Sequence, residues 1–163
     1  MLPENLRDLD VAGVGAVAAA VDAFDADAIA AGKFDLNELT LEIAPPKIVS
    51  VCGFLKYDQS FVRLSTVTGV DRYPAEPRFE VVYHLHSIER NARLRLKCRL
   101  PGADPAIESV TSVWRSANWY ERETFDLFGI RFINHPDLRR IMMPEDWDGH
   151  PLRKDYPITG SRI

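Results

Sequence analysis

Three side chains in the last third of this sequence, Glu121, Glu123 and His135, could do acid–base work, because paired carboxylates beside a histidine can move protons during hydrolysis. A stand-alone hydrolase built on them has no other support: no nucleophile motif, glycine-rich phosphate loop or metal-ligand spacing accompanies them. His84 and His86 stand two apart on an expected strand and share a face, a spacing that can chelate a metal. No third ligand is evident, and their expected cross-strand neighbours, Arg95 and Arg93, repel a cation. Cys52 and Cys98 are far apart and form no CxxC or Cys/His cluster, which argues against a zinc or iron–sulfur site made by this chain alone. Both are expected to be small apolar residues in a reducing compartment. The row Arg93, Arg95, Lys97 and Arg99 reads most simply as a solvated strand edge, and more sharply as a docking surface for an acidic protein. No catalytic, cofactor-binding or metal-binding residue is expected.

The elements that must position these groups follow from composition and pattern. A chain of 163 residues favours one domain. At that length roughly 70% of the unfolded surface is buried, enough for a core without disulfide or metal staples. A net charge of -4 argues against a general nucleic-acid binder. Carboxylates crowd the first third, and Lys and Arg dominate residues 90–99. The early apolar run, residues 11–21, is far short of the ~20 residues of a spanning helix. The opening Met1-Leu2-Pro3-Glu4 lacks the positive region of a signal peptide. A cytoplasmic chain without direct membrane insertion is expected, held at any membrane by another protein.

Along the chain, residues 14–24 predict an alanine-rich helix with Val14, Val17, Val21 and Phe24 as its stripe. A short strand is expected near Ala28, and residues 33–37 read as a turn. Leu39, Leu41 and Ile43 alternate with Glu38, Thr40 and Glu42, a half-buried strand. Pro45-Pro46 then opens a helix whose stripe is Ile48, Val51, Cys52 and Leu55. Residues 61–68 read as a strand and 69–77 as a loop. Residues 79–86 and 93–100 alternate and form a hairpin. Pairing Leu85 with Leu94 and Tyr83 with Leu96 keeps one face apolar and sets Glu80 opposite Arg99. Residues 107–114 and 117–128 read as two helices. Asn118 and Glu121 have capping-box spacing, and Gly129 suits a C-terminal cap. The expected fold is α+β: a mixed, mostly antiparallel sheet with helices on one face over residues 1–133, then a long irregular C-terminal arm over 134–163.

The helix at residues 119–128 carries Glu121, Arg122, Glu123 and Asp126 among aromatic and apolar groups pointing in several directions. Such a helix should be buried, and its charges then need partners. Asp126 also sits in the last turn, where the macrodipole disfavours an anion. Arg131, Arg139 and Arg140 are the expected compensators. The arm is punctuated by prolines yet holds Ile141, Met142, Met143, Trp147, Leu152 and Tyr156. A structureless run this long is uncommon in a compact domain, and its apolar groups need a surface to bury against. Pattern alone gives a binding module.

These residues carry a resemblance. Glu121-Arg122-Glu123, Asp126-Leu127-Phe128, His135, Arg139 and Ile141-Met142, at their spacings, resemble the signature of the C-type subunit of NADH-quinone oxidoreductase, respiratory complex I. So do Pro144-Glu145-Asp146-Trp147, the run from Gly149 through His150, Arg153, Lys154 and Tyr156 to Pro157, and upstream Pro77 to Leu85. The resemblance covers residues 60–157 well and the first third in outline. It implies a cofactor-free scaffold subunit of the peripheral arm of a proton-translocating complex, at the cytoplasmic side of the inner membrane. FMN, iron–sulfur clusters and quinone belong to other subunits, and the implied partners are chiefly the D-type subunit and also the B-type subunit. Glu121, Arg122, Glu123 and Asp126 would form the charged helix. His135, Arg139, Arg140, Trp147, His150, Arg153, Lys154 and Tyr156 would hold the arm along partners. Related membrane-bound hydrogenases and other donor-linked dehydrogenases share the domain and form the alternative.

Overall fold

The computed structural model describes Leu6 and residues 15–157. Val14, the first residue of the expected helical stripe, lies outside the described residues. In chain order the elements are α1 (Gly15–Phe24), β1 (Ile29–Asp35), β2 (Glu38–Ile43), a 3-10 turn (Pro45–Lys47), α2 (Ile48–Tyr57), β3 (Arg63–Asp71), β4 (Phe79–Ser87), β5 (Ala92–Leu100), β6 (Ala106–Glu108), α3 (Ala117–Phe128) and β7 (Arg131–Ile133). Five strands form one sheet in the order β1-β2-β5-β4-β3, and β6 and β7 form a separate two-stranded sheet. This is the mixed, mostly antiparallel α+β architecture that the alternation predicts. Only β2–β5 and β6–β7 pair in parallel among the described strands.

The β4–β5 register is the expected one: Leu85 faces Leu94, Tyr83 faces Leu96 and Glu80 faces Arg99. With side chains alternating between faces, Leu39, Leu41 and Ile43 of β2 join Leu94, Leu96 and Cys98 of β5 and Phe79, Val81, Tyr83 and Leu85 of β4 on one apolar face. The helices cover that face. Ile48, Val51, Cys52 and Leu55 of α2 are fully buried, and Phe24 at the end of α1 stacks on Phe54 with ring centroids 4.4 Å apart. The end of α3 presses on β3 where Gly69 sits; a Cβ there would lie 2.8 Å from the Phe128 ring. Cys52 and Cys98 are buried free thiols.

Several local expectations are corrected. The segment 33–37 is not all turn: β1 runs to Asp35, and the hairpin closes on Leu36 and Asn37, both at positive φ. That two-residue, left-handed loop matches the twist of the flanking strands. β3 extends through Gly69 to Asp71, into what read as loop. Residues 107–114 are not a helix. Ile107, Val110, Val113 and Trp114 are all buried as their spacing suggests, but Ile107 lies in β6, which pairs with β7. Asn118 lies inside α3 and makes no capping box; the helix starts after Ser116 without a side-chain cap. The basic row is not an edge, because β5 is the central strand. Arg95 bonds Glu38, Lys97 lies 3.5 Å from Glu80, and Arg99 lies 3.0 Å from Glu42.

Strand directions sort the loops. The parallel β2–β5 pair puts the Leu36–Asn37 turn at the same end as the β4–β5 turn and the start of β3. The opposite end carries Asp71, Arg78, Phe79 and Leu100.

Candidate functional site

Over residues 134–157 the expected arm contains no helix or strand, as its prolines predict, and its last part, residues 158–163, lies outside the described residues. It runs beside α3 in the same direction and ties to it at successive levels. At the first level the His135 Nε2–H donates to the Asn118 carbonyl (3.2 Å), while Nδ1 accepts the Asp137 N–H (3.0 Å). That pair of bonds leaves the ring neutral, and burial pushes its pKa down. One turn on, the buried Arg122 donates from Nε to the Arg139 carbonyl (3.1 Å) and lies 5.0 Å over the Trp119 ring.

The next level is Asp126, whose carboxylate is completely buried. One oxygen accepts the N–H groups of Ile141 (3.0 Å), Met142 (2.7 Å) and Met143 (2.9 Å), and the other accepts Arg140 (2.8 Å). Burial pushes this carboxyl up, but the three amides and the guanidinium outweigh it and hold it below its ordinary value. Of the three compensators expected from sequence, only Arg140 serves; Arg131 pairs with Asp104 and Arg139 with Asp137.

The last level caps the helix. An α-helix ends with carbonyls that lack intrahelical donors. Here Gly129, left-handed at φ 72, bonds Phe125. His150 Nδ1 then donates to the Asp126 carbonyl (2.8 Å), the Leu152 N–H to Leu127 (3.0 Å) and Arg153 Nε to Phe128 (2.7 Å). The arm supplies the C-terminal cap, and Arg140 and Arg153 complement the negative end of the dipole. Beyond it Trp147 Nε1 donates to the Tyr156 hydroxyl (3.1 Å). The arm's end reaches the sheet, where Arg78 binds Asp71 through two nitrogens (2.8 and 2.7 Å) and Asp155 through two more contacts (2.8 and 2.6 Å). The Lys154 N–H also bonds Asp71 (2.9 Å).

Glu121, Arg122, Asp126, His135, Arg140, His150 and Arg153 are therefore brought together, and Trp147 and Tyr156 pair beside them. Glu123 and the Lys154 side chain face solvent. The hydrolase set does not assemble. Glu121 and His135 approach to 3.9 Å, both fully buried, while Glu123 points away. Among the described residues no group of three or more His, Cys, Asp or Glu could hold a metal. The charged helix that looked unable to satisfy itself is satisfied within the chain. Sequence reasoning missed Ser109, Asp71, Arg78 and Asp155. The partners of Asp126 are mostly backbone amides, which no residue type marks.

Glu121 accepts the Ser109 hydroxyl (2.6 Å) and the Val110 N–H (2.8 Å). Burial outweighs these bonds and pushes its pKa from 4.5 up to about 7. A folded-state value above the unfolded one means that the folded state binds more protons. The stabilisation is full below about pH 4.5 and is lost as pH rises through about 7. Glu121→Gln can accept the Val110 N–H on its oxygen and donate from its NH2 to the Ser109 hydroxyl oxygen, and it does not titrate. The wild-type-minus-variant difference in unfolding free energy is expected to fall by up to about 3 kcal/mol across that window. Parallel urea-unfolding profiles at pH 4.5 and 7.5 would sink the assignment.

Residues 41–162, from within β2 through the whole α3–arm unit, match the family described as "Respiratory-chain NADH dehydrogenase, 30 Kd subunit". The chain belongs to this family. Relatives agree. The C-type subunit of NADH-quinone oxidoreductase from Geobacter sulfurreducens is 54% identical over 125 residues, 76% of this chain and 77% of its own. Its counterpart from Azorhizobium caulinodans is 46% identical over 162 residues, 98% of this chain and 72% of its own. This chain spans 64% of the second C-type subunit of Rhizobium etli, at 54% identity. Among solved structures, a trypsin-resistant fragment (1-134) of Nqo5 superposes with a TM-score of 0.66 at 29% identity, covering 77% of this chain and 99% of that one. The membrane-bound sulfane sulfur reductase, an archaeal respiratory membrane complex, contains a chain with the same fold: TM-score 0.76, 24% identity, 88% of this chain and 85% of that one. Among the described residues no helix is long and apolar enough to cross a membrane.

Proposed function

We propose that this member of the 30 kDa subunit family is a scaffold subunit in the peripheral arm of a proton-translocating NADH-quinone oxidoreductase. It holds no redox group itself, packs on the D-type subunit beside the B-type subunit at the quinone-reducing module, and lies on the cytoplasmic side of the inner membrane. FMN, iron–sulfur clusters and quinone are carried by other subunits. One observation carries the packing role. Most of the signature charges are paired inside the chain, and the α3–arm unit also turns apolar groups outward: Trp119 is 63% exposed, Met142 62% and Leu152 52%. Large apolar side chains exposed along one unit support a protein interface there.

Purification of the tagged chain under native conditions, with its companions identified, tests this. The D-type and B-type subunits should co-elute with flavin and NADH-quinone reductase activity. A nickel hydrogenase large subunit in their place would favour a related donor-linked complex, and a lone monomer with hydrolytic turnover would refute both. Trp119→Ala combined with Met142→Ala should cut recovery of the D-type subunit at least roughly tenfold. The isolated chain should stay folded and lose no more than about 1 kcal/mol, from the Arg122 contact with the Trp119 ring, because both side chains are otherwise exposed. Undiminished recovery would exclude this surface.

A further inference from the structure

A second surface lies at the end of the sheet away from Asp71, Arg78 and the arm's last anchor. Three strands contribute one row to the polar face there: Arg63 of β3 faces His86 of β4, which faces Arg93 of β5. Like charges set side by side across strands are unfavourable without an anion. Elsewhere on this face Arg95, Lys97 and Arg99 are matched by Glu38, Glu80 and Glu42. Among the described residues Arg63 and Arg93 make no side-chain hydrogen bond or ion pair. A bulge between Leu64 and Thr66 adds Ser65, and Ser65 and Thr66 line, with the two arginines and with Glu38, which Arg95 holds, one open depression of about 430 Å³. The same end exposes three large apolar residues: Leu36 at 91%, Ile88 at 66% and Val62 at 52%. Leu36 occupies a left-handed turn position (φ 49) that Asn or Gly fills more easily. Folding gains nothing from a leucine there.

Dimensions decide what fits. Arg63 and Arg93 lie two strands apart, roughly 10 Å at the backbone. The depression between them is open, whereas a small-molecule pocket encloses most of its ligand. An anionic bilayer is recognised by clusters of roughly four to eight basic residues, and here two are unmatched. The whole end of the sheet, from the β1–β2 turn to β3, spans roughly 20 Å, about six residues of extended chain.

We propose that this end of the sheet docks an extended acidic segment of a neighbouring subunit, its carboxylates on Arg63 and Arg93 and its apolar residues against Leu36, Val62 and Ile88. The inference rests on the reading that the chain works inside a multi-subunit complex. The test places p-benzoyl-phenylalanine at Leu36, or separately at Ile88, in the full chain within cells that assemble the complex. Irradiation should link it to a peptide of another subunit that carries at least two Asp or Glu. Arg63→Glu with Arg93→Glu should lower the yield at least tenfold without moving the thermal midpoint, because neither arginine has a partner among the described residues. Arg63→Lys with Arg93→Lys should retain it, and lysines in place of the linked peptide's acidic residues should restore it to the double-Glu variant. Links only to lipid, only within the chain, or to a segment without carboxylates overturn the proposal. So does a yield indifferent to charge reversal. Co-purification of the complex with silent probes removes this surface alone; failure to co-purify removes the proposed function and this surface with it.

Discussion

Asp126→Asn is expected to destabilise the protein by about 3–5 kcal/mol, the range for breaking a buried charged pair. It should also release the arm before the sheet. The carboxylate accepts four donors at once, three amides and Arg140. An amide side chain has one oxygen, so either orientation turns its NH2 toward a donor. Setting it against the amides unmakes three bonds; setting it against Arg140 leaves a guanidinium facing a donor. The cost of such unmade bonds is the desolvation of each stranded group. Hydrogen exchange reports the location. The amides of Ile141, Met142 and Met143 should lose protection in the variant, while the β4–β5 amides keep theirs up to the global limit. Unchanged protection at those three amides would show that the arm is held by its other anchors.

Arg78→Met is expected to have an effect of similar size, about 3–5 kcal/mol, at the far end of the arm. Arg78 is buried between Asp71 and Asp155 and lies 4.8 Å over the Phe79 ring. Removing it leaves Asp71, itself buried, with only the N–H groups of Tyr73 and Lys154 among the described residues. A double-mutant cycle separates the stranded charge from the lost packing. Asp71→Asn in the Arg78→Met background should recover most of the loss, and additive single effects would refute the pairing. The Arg78 guanidinium holds the Asp71 carboxyl well below the usual carboxylate range. A depressed folded-state value contributes stability that is present above the unfolded value of 3.8 and lost as pH falls below it. The stability difference between wild type and the Arg78→Met variant should therefore narrow as pH falls below 3.8.

How much of this was legible in the residues varies with the range of the contacts. The β4–β5 hairpin was readable in full, because strict alternation with Leu, Tyr and Cys inward permits one register only. The same logic found β2 and the stripe of α2. β6 was misread because Ile107, Val110, Val113 and Trp114 fall at helical spacing. That stripe reports burial correctly but not conformation, and the three-residue strand is fixed by its partner β7, more than 20 residues on. The basic residues of β5 looked like an edge because the parallel partner β2 lies far upstream. At the site, the need of Asp126 for compensation was visible from its place in the last turn. Its main donors were not, since backbone amides carry no residue label. Glu121 and Asn118 had the spacing of a capping box, but Ser109 and Val110, brought close by the β6 chain, took the carboxylate instead.

The parallel seam between β2 and β5 has a consequence for how the chain is made. Thr40 finds Arg95 across 55 residues. During synthesis β2 emerges early, paired with β1 alone, and its central partner follows roughly 3–11 s later at ~5–20 residues per second. Through that interval Leu39, Leu41 and Ile43 lack the strand that completes their sheet. β3, β4 and β5 are neighbours in sequence and can pair as they appear, whereas the seam must wait. The nascent chain therefore carries an open, apolar-faced β1–β2 hairpin until β5 emerges. The step that closes it joins the first part of the sequence to the last strand of the sheet, and it must precede any stable assembly built on either end of that sheet.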